Sequence, residues 1–92
     1  MAKSIMQTER ESYFSGRIDG LEKHHVFCGS NRKWSEKYGL WVYLTKDEHN
    51  EPPDGVHFNK RIRQQLQADA QRKFEETYPH LDFMKIFGRN YK

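Results

Sequence analysis

The side chains best equipped for chemistry in this 92-residue chain are its five histidines. Two of them are adjacent, in the run Leu21-Glu22-Lys23-His24-His25-Val26-Phe27-Cys28. Gly20 and Gly29 bound the run, and its C-terminal side is β-branched and aromatic, so it reads as a strand. A strand sends neighbouring side chains to opposite faces, so His24 and His25 cannot both be core. One imidazole could then bind a metal while the other works as a base. The plainer alternative is a surface histidine beside a buried one satisfied by a backbone carbonyl. Taken alone, the pair favours that alternative.

The elements that must position these rings can be read in order. Residues 1–8 have little pattern and read as a loose arm. Glu11-Ser12-Tyr13-Phe14-Ser15 is a short strand candidate, and Asp19-Gly20 favours a tight hairpin, so residues 12–28 read as a two-stranded unit. Ser30 or Asn31 can cap a short helix through Tyr38, with Gly39 as its left-handed stop. Leu40-Trp41-Val42-Tyr43-Leu44 is the most strand-like segment of the chain. Thr45 and Glu48 form a capping box, with Asp47 also in the first turn, which puts His49 and Asn50 one turn into a helix. Pro52-Pro53-Asp54-Gly55 interrupts that helix. A long helix is expected to restart near Val56 or His57. Its apolar stripe is Phe58, Ile62, Leu66, Ala70, Phe74 and Tyr78. Pro79 ends it. Asp82 then caps a last short helix that carries Phe83, Met84, Ile86 and Phe87, stops at Gly88, and closes the core.

Composition bounds the answer. The length suits one small domain, residues 1–92. Hydrophobic residues make up 35% and charged residues 32%, yet 14% are aromatic, which argues for a ring-rich core rather than disorder. Cys28 is the single cysteine, so an internal disulfide and a cysteine-cage zinc site are both excluded. No apolar run has the length of a membrane span and no signal peptide is visible, so the expected compartment is the cytosol. The net charge of +3 tolerates a polyanionic partner without proving one. A domain this short often relies on a staple such as a metal.

Four histidines fall at three places: the end of a strand (His24, His25), the start of a short helix (His49) and the expected start of the long helix (His57). In this arrangement the sequence resembles the HNH nucleases, the ββα-metal fold. The resemblance rests on Leu21-x-x-His24-His25-Val26 and, after a spacer, Leu44-Thr45-x-x-Glu48-His49-Asn50. It covers residues 11 to about 59 and is similar to small phage-type members of that family. The fold it implies is α+β: a ββα-metal core of a short β-hairpin plus helix, extended over about residues 56–88 by the long helix and a short terminal one.

Three departures stand out. Tyr13, Ser15, Thr45 and Glu48 stand where many relatives carry zinc-knuckle cysteines. Gly39-Leu40 replaces an asparagine that often precedes the second strand and orients the loop bearing the histidine pair. The usual partner histidine four residues past His49 is Pro53, and His57 comes only after a proline turn, so it reaches a shared metal only if that loop folds back.

The resemblance implies metal-assisted hydrolysis of a DNA phosphodiester, leaving 5′-phosphate and 3′-hydroxyl ends. His25 is the expected general base. His24, His49 and His57 are the expected ligands of one divalent metal ion, with Asn50 in competition for the third position. Three imidazoles lean toward zinc, nickel or manganese, and Asn50 would shift the balance toward magnesium. Arg32, Lys33 and Lys46, with Lys60, Arg61 and Arg63 on the long helix, are candidates for phosphate contacts, although each alone also reads as part of a solvated basic face. Trp34 and Trp41 read as core. DNA is the expected partner, with a second copy of the chain or a phage protein as further partners, in the host cytosol if the chain is phage-encoded. Two other readings remain open: a catalytically degenerate nucleic-acid-binding module, and a small zinc-stabilised interaction domain.

Overall fold

Leu40 to Leu44 has the side chains a half-buried pleated surface favours, and the sheet is assembled around it. In the computed structural model, which describes residues 3–51, 55–57 and 59–92, strand β2 (Trp41–Thr45) pairs antiparallel with β1 (Leu21–His25). The register sets His24 opposite Val42 and His25 opposite Trp41. Helices α1 (Arg32–Lys37), α2 (Lys46–Asn50), α3 (Lys60–Thr77) and α4 (Phe83–Phe87) complete an α+β architecture.

The partner of the histidine strand differs from expectation. Residues 11–15 do not form a hairpin with β1. Among the described residues, their backbone pairing with the sheet is an isolated parallel bridge, Ser12 to Tyr43. The reason is local: Ser12 Oγ accepts from the amides of Phe14 and Ser15, and its backbone pairs with Arg17 and Gly16, so the segment curls on itself. β1 instead takes the more strongly apolar β2, whose Val42 and Leu44 are fully buried.

The link between the strands is a 3-10 turn (Gly29–Asn31) followed by α1. Gly39 stops α1 with φ +72, and a Cβ there would lie 2.2 Å from the Lys3 carbonyl oxygen, so glycine is required twice over. That close approach also corrects the loose arm. Residues 3–8 are tied down through Ile5 N to Gly39 O, Ser4 Oγ to Trp41 O, and Tyr43 N to Gln7 Oε1.

Thr45 caps α2 in the expected box with Glu48. The chain then turns back across α2: the amides of Gly55, Val56 and His57 donate to the carbonyls of Glu51, Glu48 and His49. These bonds explain why α3 begins later than its apolar pattern suggests. Its N-cap is Asn59, whose side chain accepts from Ile62 N. Pro52, Pro53, Asp54 and Phe58 lie outside the described residues, as do Met1 and Ala2. Of the remaining stripe, Leu66, Ala70 and Phe74 are buried and Ile62 and Tyr78 half-buried. Asp82 caps α4 and Gly88 ends it left-handed, both as expected.

The core is a cluster of rings under the sheet, in which Phe27, Phe74, Phe83 and Phe87 are each at most 3% exposed. Trp41 is buried and Trp34 packs against the core. Among the described residues, no helix is long and apolar enough to cross a membrane.

Candidate metal centre

Strand alternation sorts the ligands. Glu22 and His24 point to the face of β1 shared by Val42 and Leu44, whereas Lys23 and His25 share the other face with Trp41 and Tyr43. The first face looks toward α2 and the loop that folds back over it. There His24, His49 and His57 converge: the ring centroids of His24 lie 5.0 Å from those of His49 and 5.2 Å from those of His57, and the last two are 4.8 Å apart. One ring nitrogen from each can be chosen so that all three lie within 4.8 Å of one another. The loop does fold back, so the eight-residue separation of His49 from His57 does not keep them apart.

The electrostatics suit a cation. His24 is buried at 4% exposure, and its pKa falls from 6.5 to about 3. Burial is the largest cause, followed by the neighbouring His49, His57 and His25. His57 is open to solvent on one side, yet the shielding of the rest of its ring lowers its pKa too, ahead of His49 and of the Arg63 charge. Both rings are therefore neutral near pH 7, with lone pairs available and no proton to displace. Three imidazoles on a partly open face are a donor set suited to an imidazole-binding divalent cation such as zinc or nickel. The residues fit the group the sequence suggested.

The other expected site residues are distributed around this centre. Asn50 is exposed, and its amide nitrogen lies 3.4 Å from His49 Nδ1. His25 is not in the cluster; its Nε2 lies 2.8 Å from Glu36 Oε1 on the opposite face of β1. Lys23 Nζ donates to that same oxygen at 2.8 Å, and the Lys23 bond, then the His25 bond, holds the Glu36 carboxyl below its ordinary pKa. Arg63 is half-buried, donates to Val56 O at 3.4 Å and is close enough for its charge to act on His57. Lys60 and Arg61 are exposed on the first turn of α3, Lys46 on the first turn of α2, and Arg32 and Lys33 on α1.

Two carboxylates that hold these rings escape sequence reading. Glu22 bonds to His49 Nδ1 at 2.9 Å. Its position two residues before His24 on a strand is the available signal, because that spacing puts both on one face. Glu36 has no such local signal, since its contact with His25 depends on how α1 packs beside β1. Compared with protein-family models, curated proteins and solved structures, the chain matches none.

Proposed function

We propose that His24, His49 and His57 hold one divalent cation and that the chain is a metal-dependent DNA endonuclease of the ββα-metal type. The observation that carries this reading is the convergence of three imidazoles from a strand, a helix and a loop. A cation bound there supplies Lewis acidity toward a phosphodiester oxygen. In this reading His25, whose ring bonds Glu36 across β1 from the three histidines, would have to turn toward the cation to serve as general base for the attacking water. The water oxygen bonds to phosphorus, the P–O3′ bond breaks, and the leaving 3′-oxygen takes a proton from solvent, giving 3′-hydroxyl and 5′-phosphate ends. Arg63 is the cation best situated to meet a phosphate at this site, with Lys60 and Arg61 extending the basic surface along α3.

Plasmid nicking in manganese, magnesium, nickel and zinc tests the reading. Cleavage is expected with at least one of them. His25→Ala should abolish it while leaving metal affinity within about twofold, and His49→Ala should weaken both. Inactivity with every metal would defeat the enzyme reading, and full activity of His25→Ala would defeat the base assignment.

A second reading is favoured by the attachment of His25 to Glu36 on the face away from the three rings. It takes the chain as a zinc-stabilised interaction domain or a non-cleaving DNA-binding module. In that case His25→Ala changes nothing measurable, while loss of any one of the three clustered rings lowers metal affinity.

A further inference from the structure

The contact between Glu22 and His49 assigns work to a carboxylate and to particular nitrogen atoms. Glu22 and His24 are two apart on β1 and share a face, so one strand supplies both a ring of the cluster and the group that holds another. Glu22 Oε1 lies 2.9 Å from His49 Nδ1. A carboxylate only accepts hydrogen bonds, so this contact needs the proton on Nδ1, and in the neutral ring, the form that can bind a metal, Nε2 keeps its lone pair. Asn50 then has its amide near a nitrogen that is already donating. Its 3.4 Å contact cannot be a bond from Nδ2 to the same Nδ1, and the neutral arrangement turns the amide oxygen toward that edge of the ring.

We infer that Glu22 is a positioning residue for the metal centre: it fixes His49 as the Nδ1–H tautomer, directs Nε2 at the cation, and sets the ring on its outer, Nδ1 edge, where Asn50 also lies. This rests on the metal reading of the three histidines. A metal-bound histidine generally gives its second ring N–H to such an acceptor, and removing the acceptor weakens metal binding by roughly 10–100-fold. The Glu22 side chain is 41% exposed, so water partly replaces it when it is lost, and the effect belongs at the low end of that range.

The test is zinc titration of the full chain by calorimetry, alongside long-range ¹H–¹⁵N spectra of the histidine rings. Wild type should show His49 as the Nδ1–H tautomer before zinc is added. Glu22→Ala should bind zinc about tenfold more weakly and shift His49 toward the Nε2–H form. Glu22→Gln, which keeps an acceptor oxygen, should lose less than Glu22→Ala and retain the wild-type tautomer. Zinc affinity of Glu22→Ala within twofold of wild type would overturn the inference. So would an Nε2–H tautomer in wild type, a readout that needs no variant to fold. If wild type binds zinc no better than His24→Ala, the metal reading itself fails and this inference falls with it. Normal wild-type binding with an indifferent Glu22 removes the inference alone.

Discussion

His24 carries the heaviest cost of the three rings, because it is the buried one and faces two others. Its pKa in the folded chain is about 3, against 6.5 for an ordinary histidine. Between those values the unfolded chain takes up a proton that the folded chain refuses. The metal-free protein should therefore lose stability as pH falls below 6.5, with a slope of up to about 1.4 kcal/mol per pH unit from this one site. The lowered pKa of His57 acts in the same direction. Glu36 and Glu48 also have lowered values, and their stabilisation is lost only as pH falls through the carboxylate range, so the interval from 6.5 to 5 reports the histidines. Urea midpoints at pH 7 and pH 5 check this in the presence of a chelator. His24→Gln should flatten most of the difference whatever it does to absolute stability; an unchanged slope would refute the assignment. At this scale the sequence shows which residue types can act, and it shows that His24 and His25 diverge. It does not show which of them is buried, because that depends on which face of β1 meets Val42 and Leu44.

Among the elements, the join between β1 and β2 decides whether the first histidine pair is held still. Gly39-Leu40 enters β2 without an asparagine, but Ser35 on α1 is fully buried and bonds on two sides. Its Oγ accepts from Phe27 N at 3.0 Å and donates to Leu40 O at 2.8 Å, clamping the exit of β1 to the entrance of β2. Ser35→Ala leaves the Phe27 amide without that partner, whereas Leu40 O keeps the amide of Val26. The expected loss is about 1–3 kcal/mol, the cost of a buried donor left unpaired. That corresponds to roughly 4–8 °C in Tm for each kcal/mol in a chain of this size. Faster hydrogen exchange at Phe27 should accompany it, and an unaltered melting curve would show that the clamp is idle. Caps and stops made much of this level legible: Thr45 with Glu48, Gly39, Asp82 and Gly88 mark ends where the chain does begin and end helices. The errors arose where two local signals competed. Asp19-Gly20 suggests a hairpin, but Ser12 satisfies its own neighbours, and the apolar start of the long helix includes Val56, whose amide is spent on Glu48.

Across the whole molecule, the apolar core and the histidine cluster are two sources of cohesion that meet at β1. Phe27, Phe74, Phe83 and Phe87 pack with Leu40, Val42, Leu44 and Leu66 into a buried apolar set, and the buried His24 sits against its edge on the Val42 face of β1. The cluster joins β1, α2 and the loop at residues 55–57, so a bound cation would act as a cross-link laid over a core that already exists. This differs from a small zinc domain, whose fold disappears when the metal is withdrawn. Here the chelated chain should stay folded and still unfold cooperatively. Saturation with zinc at about 100 times its Kd should add about 2.7 kcal/mol, a rise in Tm on the order of 10–20 °C. His24→Ala should abolish that increment, because the buried ring anchors the strand side of the cross-link. The comparison also divides the readings of function. A catalytic cation needs an open position for water or substrate and can sit on a scaffold that survives without it, whereas the zinc of a small structural domain commonly holds the scaffold itself. A chelated chain that loses its far-ultraviolet signal would move this protein to the interaction-domain reading, and one that stays folded but nicks DNA only after metal is restored would move it to the nuclease.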